Sequence, residues 1–299
     1  MKQEVWYGKD TGLTVRMILT AGLLMIVYLV FITVLSLFVE FIFIVPVIGI
    51  FLFLQFYFAD KLVLWGTHAK IVTPQEYPQL HTIIERLCNL VGLPKPRIAI
   101  VNTPVPNAFA TGRNQKTAVV AVTTGLLNRL DQSELEAVLG HELTHVKNRD
   151  MLVITVASFL STIAWFVMRY SFYSSLFRGG RNNREGGAAI IIMVVSVVVW
   201  FVSFLLIRAL SRYREFAADR GSAVITGNPP ALISALSKIS GVMKKVPSKD
   251  LREVEGMNAF FIIPAISGKS IMYLFSTHPP LEKRIEKLRA MESRLEGFR

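Results

Sequence analysis

The sequence predicts a mainly α membrane protein: four hydrophobic helices joined to a water-soluble α+β part that contains a small sheet. Three observations carry this. Hydrophobic residues make up 52% of the 299 and collect in four charge-free runs, 17–39, 41–58, 151–168 and 188–207. Between them, 61–150 alternates capped helical patterns with short β-rich stretches. From residue 208 the chain returns to charged, helix-periodic sequence.

About 20 apolar residues of helix cross a hydrocarbon core, so each run is long enough to span one. The alternative for the two shorter runs, 41–58 and 151–168, is a buried core helix. The first run exceeds the length of a signal-peptide core and lacks a small-residue cleavage site before Glu40, so it reads as a retained span. Only Glu40 separates it from the second, which makes residues 1–60 a tight hairpin. Lys2, Lys9 and Arg16 on one side and Lys61 and Lys70 on the other place both ends in the cytoplasm by the positive-inside rule.

Residues 61–150 form the first soluble part. Thr73-Pro74-Gln75-Glu76 has the cap, N1 proline and capping-box glutamate of a helix start, and Tyr77, Leu80, Ile84, Leu87 and Val91 follow at helical spacing until Gly92. Arg97 to Val101 and Ala118 to Thr123 read as strands. Asp131-Gln132-Ser133-Glu134 is a second capping box, opening a helix over 134–149. The second hairpin, 151–207, contains a Gly- and Asn-rich segment around 169–187 that reads as a loop. In the second soluble part, 208–299, Asn228-Pro229-Pro230 opens a helix and 281–299 forms a charged amphipathic one.

The net charge of +12 comes from basic residues flanking the spans, which suits the cytoplasmic leaflet of a bilayer rather than nucleic acid. The lone Cys88 cannot form an internal disulfide and reads as a packed helix residue, as His68 and His81 read as structural.

His141-Glu142-Leu143-Thr144-His145 is an H-E-x-x-H motif on the second capped helix. Residues i and i+4 share a helix face, so both imidazoles can reach one zinc ion, and Glu142 can reach a water on it. A catalytic zinc needs a third protein ligand and an open position. Glu215 and Asp219, again at i and i+4, are the candidates: Glu215 as ligand, Asp219 as acceptor for a ring N–H, His141 for preference. Both acids could instead pair with Arg212, Arg214 or Arg220. If the helices continue into the last two runs, His145 and Glu215 lie roughly 9 and 12 Å from the span ends at the helical rise. Two crossings would return the chain to one face, with zinc roughly 10 Å off the membrane by the same rise. Arg169, Arg178, Arg181 and Arg184 in the intervening loop disagree with an outside placement, and a re-entrant or peripheral hairpin would also keep the ligands together.

At these residues the chain resembles the HtpX family of membrane zinc metalloproteases, kin of the prenyl-protein proteases. Supporting segments are Pro106-Asn107-Ala108-Phe109-Ala110-Thr111-Gly112, the histidine motif, Arg214-Glu215-Phe216-Ala217-Ala218-Asp219, and Thr277-His278-Pro279-Pro280-Leu281-Glu282-Lys283-Arg284. The resemblance implies a cytoplasmic zincin-like protease domain with one zinc ion per subunit. It implies a metalloendopeptidase of the plasma membrane that cleaves misfolded or damaged membrane proteins, with Glu142 as general base toward a metal-activated water. It also implies that His278 and Arg284 steady the tetrahedral intermediate. An edge strand would bind substrate backbone, matched here by Asn107, Ala108 and Phe109 and by the strand holding Val120, Ala121 and Val122. A catalytically idle scaffold with structural zinc and a prenyl-protein protease are the rival readings.

Overall fold

A computed structural model of the chain describes residues 11–36, 46, 49–50, 53–54, 56–178, 183–243 and 278–296. Three described helices are long and apolar enough to cross a membrane: Thr11–Ser36, Asp150–Tyr173 and Ile190–Thr226. The expected span over 41–58 lies largely outside the described residues, as do Lys2, Lys9 and Arg181. The chain divides into two compact units, one gathering Thr11–Tyr57 with Val153–Leu210, the other gathering Phe58–Leu152 with Ser211–Arg299.

The first unit holds α1 (Thr11–Ser36) and most of two long helices, of which the complete ranges are Asp150–Arg178 and Asn183–Thr226. Phe31, Leu35, Ala164, Ile192 and Val199 form one buried cluster and Leu24, Tyr28, Ala157 and Leu210 another. Tyr28 Oη donates to the Ala157 carbonyl at 2.5 Å. A buried hydroxyl surrounded by hydrocarbon needs such an acceptor, and the small side chain of Ala157 lets it approach the backbone. Facing outward, Ile18, Leu19, Met25 and Val156 are 60–66% exposed. So much exposed apolar surface suits lipid rather than water.

The predicted loop over 169–187 is largely helical, since one helix runs to Arg178 and the next starts at Asn183. Arg169 explains part of this. Its guanidinium lies 5.2 Å from the Trp165 ring centroid and 5.5 Å from that of Tyr173, one helical turn either way. Such i, i+4 pairs hold a helix together past its apolar segment.

In the second unit the elements are α2 (Ala59–Gly66), β1 (Lys70–Ile71), α3 (Pro78–Val91), β2 (Arg97–Val101), β3 (Ala108–Thr111), β4 (Val119–Thr123), α4 (Thr124–Leu127) and α5 (Gln132–Lys147). They are followed by α6 (Asp150–Arg178), α7 (Asn183–Thr226), α8 (Pro229–Met243) and α9 (Leu281–Glu296). The helix expected from Thr73 starts one turn late. Glu76 still bonds back to the Thr73 amide at 2.7 Å, but Tyr77 precedes Pro78, takes φ −135° and ψ 66°, and so breaks the turn from the helix. Gly92 ends α3 at φ 65°, as expected. Cys88 packs on its inner face, and burial pushes the thiol up to about 11.

The sheet order is β1-β2-β4-β3, with β2 and β4 parallel and the other pairs antiparallel. This corrects one expectation. β4 is paired on both sides, and Val120, Ala121 and Val122 have no exposed surface. Its backbone cannot take a further strand. Among the described residues the edge beside β4 is β3, which starts at Ala108.

Asp131 caps α5 through the capping box that the sequence predicts. Its partner Glu134 is buried and also accepts from Ser234 Oγ at 2.6 Å and Lys238 Nζ at 2.7 Å on α8. The helix stops at Lys147, two residues earlier than expected, and Asn148 and Arg149 (φ 55°) turn the chain before α6. His145 and the third hydrophobic run therefore lie on separate helices, so a single helical rise does not measure their separation. α7 does run unbroken from the fourth run through Glu215.

Residues 211–226 of α7 pack against α5 through glycine on both sides. A Cβ on Gly221 would lie 2.4 Å from the Thr144 side chain, and one on Gly140 would lie 3.3 Å from Ser222 Oγ. Ser222 Oγ donates to the Ala137 carbonyl at 2.5 Å. Gly221→Ala should overpack this contact and destabilise the protein by about 1–3 kcal/mol. Thermal melting of the detergent-solubilised variant checks it, and an unchanged melting temperature would contradict so close an approach.

Candidate active site

Helix α5 is held at both ends. The capping box and α8 fix its start, and Gln115 Nε2 donates to the Lys147 carbonyl at 2.9 Å near its end. His141 and His145 project from one face one turn apart, as 3.6 residues per turn requires, and Glu215 meets them from α7. Ligand-type atoms of these three residues all lie within 4.8 Å of one another. The two Nε2 atoms are 3.1 Å apart. Glu215 Oε2 is 3.6 Å from His141 Nε2, and Oε1 is 3.4 Å from His145 Nε2.

Each outer ring nitrogen lies beside a carboxylate. His141 Nδ1 lies 3.0 Å from Asp219 Oδ1, and His145 Nδ1 lies 2.5 Å from Asp150 Oδ2. An ionised carboxylate only accepts, so a hydrogen on each Nδ1 suits both contacts. In neutral rings, Nε2 then presents a lone pair. Two lone pairs and a carboxylate directed at one point repel one another, and a metal ion among them, or a proton on one ring, relieves this. The donor set therefore fits a metal ion, and two imidazoles with one carboxylate suit an ion that takes nitrogen and oxygen donors. Burial opposes the charged form of His141, yet Asp219 and Glu215 outweigh it and leave its pKa raised.

Each outer carboxylate is itself held. Arg284 donates to Asp219 through Nε at 2.8 Å and Nη2 at 2.6 Å, a two-pronged bond. Its Nη1 is 3.7 Å from Glu215 Oε2. With 1% of its surface exposed, Arg284 braces Asp219 rather than projecting into an open cleft. On the other side Arg214 Nη2 reaches Asp150 Oδ1 at 2.8 Å. His278 Nδ1 lies 2.9 Å from Glu215 Oε2. Asp150 did not stand out in the sequence. Its only signal is its place just past the second histidine, which means little until Arg149 turns the chain.

Glu142 is buried beside the histidines, and burial pushes its carboxyl pKa up, against the pull of His141 and His145. Its carboxylate accepts a hydrogen bond from the main-chain N–H of Ala110. An amide of β3 thus points away from β4, toward the histidine helix. Asn107, just before this strand, is buried, and its N–H donates to Thr123 Oγ1 at 2.8 Å. Ala108 and Phe109 lie on β3, while Val120, Ala121 and Val122 lie behind it on β4.

Residues 74–292 match the family description "Peptidase family M48". The chain is 62% identical to "Protease HtpX homolog 2" of Methanosarcina mazei, over 97% of this chain and 98% of that one. It is 58% identical to "Protease HtpX homolog" of Moorella thermoacetica, over 98% of each. Among solved structures, the crystal structure of S. mikatae Ste24p shares the fold at a TM-score of 0.56 and 18% identity, covering 93% of this chain and 67% of that one. The chain therefore belongs to peptidase family M48, as an HtpX-type membrane metalloprotease.

Proposed function

We propose that this metalloprotease is a zinc endopeptidase working at the cytoplasmic face of the plasma membrane, on misfolded or damaged membrane proteins. The carrying observation is the convergence of His141, His145 and Glu215 within 4.8 Å, with Glu142 on the same helix. Two imidazoles and one carboxylate are a usual donor set for catalytic zinc, with a fourth position left for water or substrate. Zinc held there would polarise the scissile carbonyl and make water more acidic.

The chain's own residues supply the rest. Glu142 takes a proton from the attacking water and returns it to the leaving amine. A carboxyl whose pKa is raised by burial suits both halves of that exchange. Asp219 fixes His141, and Arg284 fixes Asp219, which makes Arg284 a positioning residue in this reading rather than a group touching the intermediate. His278, beside Glu215, steadies charge at the reacting carbonyl. An extended substrate lies along β3 at Ala108 to Ala110, beside Glu142. The orientation follows from Arg16, Lys61 and Lys70 around the first hairpin. The protease segments 61–150 and 208–299 would then face the cytoplasm, carried by the hairpins 1–60 and 151–207.

Glu142→Gln should keep one zinc per chain and lower casein cleavage by on the order of 10²–10⁴-fold. Full activity in this variant would exclude Glu142 as the base. Removing metal with 1,10-phenanthroline should abolish cleavage, and added zinc should restore it. An enzyme indifferent to the chelator would not be metal-dependent. Membrane proteomics of cells carrying the native protein or Glu142→Gln tests the substrate class: membrane proteins should accumulate in the variant, whereas accumulation only of soluble proteins would contradict it.

A further inference from the structure

The two metal-facing histidines are held by matching relays, yet only one lies on the motif that defines the third ligand. His141 is held by Asp219, four residues beyond Glu215 on α7. His145 is held by a residue from another element. Asp150 Oδ2 sits 2.5 Å from His145 Nδ1, while Asp150 Oδ1 takes Arg214 Nη2 at 2.8 Å. The carboxylate therefore spends one oxygen on each partner. Asp150 is 6% exposed and Arg214 4%. Removing a charged pair from water costs more than an ordinary fold contact repays, which points to a requirement for orientation.

The backbone is shaped to permit this contact. On a continuing helix, residue 150 would lie about 140° around the axis from His145, at 100° per residue. It could not face the ring. Instead α5 ends at Lys147, and Arg149 adopts φ 55°, a left-handed conformation that residues other than glycine seldom take. The chain turns back, and Asp150 comes over the imidazole as the first residue of α6. Gln115 pins the corner through the Lys147 carbonyl. Arg214 adjoins Glu215 on α7, so the brace on the second histidine and the third ligand move on one helix.

We propose that Asp150, steadied by Arg214, is the positioning residue for His145: it fixes the ring's tautomer and direction and raises the metal affinity of Nε2. The inference rests on the metal site proposed above. Asp150 also places a negative charge in the first turn of α6, where it would favour the helix whatever its effect on metal. The test must separate the two.

Zinc dissociation constants of the full-length, detergent-solubilised protein, measured against a chromophoric chelator at one pH, make that separation. Asp150→Ala should weaken zinc binding by on the order of 10–100-fold. Arg214→Gln, which leaves Asp150 in place but unbraced, should weaken it by less. Asp150→Asn keeps an acceptor for Nδ1–H and drops the charge, so it should fall between wild type and Asp150→Ala. It also serves if Asp150→Ala does not fold. In the cobalt-substituted protein, the visible bands of Asp150→Asn should shift from those of the wild type. Affinities within 2-fold of wild type in both Asp150 variants, or a lower melting temperature of the metal-free protein with unchanged affinity, would overturn the proposal. A wild type that takes up no zinc would instead overturn the metal site itself.

Discussion

The close approach of two helices sets everything else in the catalytic unit. Glu215 has a short side chain and must meet two imidazoles carried by a helix from another part of the sequence. Ordinary side chains between α5 and α7 would hold the backbones too far apart. Gly221 against Thr144, and Gly140 against Ser222, remove that obstacle at the level of the ligands. Ser222 then binds the α5 backbone directly at the Ala137 carbonyl. The contact sets both the distance and the rotation of one helix on the other, so the ligand geometry follows from packing before any metal arrives.

Such packing brings like groups together, and the surroundings must answer for it. Glu215, Asp219, Asp150 and Glu142 are all buried within one small volume, with Arg214 and Arg284 among them. Buried carboxylates are tolerated when each has a cation or a donor. Here the assignments are almost one to one. Arg284 takes Asp219, Arg214 takes Asp150, and the Ala110 amide takes Glu142. Glu215 faces the two Nε2 atoms, with His278 Nδ1 and Arg284 Nη1 on its other side, an arrangement that a metal ion would complete.

Much of this was legible in the sequence where the signal is local. The capping box at Asp131, the glycine stop at Gly92 and the strands around Arg97–Val101 and Val119–Thr123 depend on near neighbours, and they stand where the pattern puts them. His141, His145 and Glu215 are legible because i, i+4 spacing is itself a geometric statement. What was hidden depends on contacts between distant segments. Arg284 stands out only through the family resemblance, as a group on the tetrahedral intermediate, and nothing local announces the contact with Asp219 that α9 gives it. Sheet order is not written in either strand alone, which is why β4 resembled an edge although β3 covers it. The turn at Arg149 escaped notice because nothing in an arginine announces a left-handed backbone.

β3 has a consequence for what such an enzyme can notice. An amide on a sheet edge recognises main chain, and every polypeptide has the same main chain. It asks only that the backbone groups be unpaired, since a strand already in a sheet or a turn of helix has none to offer. β3 runs beside Glu142, which already holds the Ala110 amide, so a bound main chain would use the strand's other groups or displace that bond. If substrate lies along that strand as proposed, recognition would depend on whether a protein has lost its own structure more than on which residues it carries, a membership rule set by state rather than by sequence.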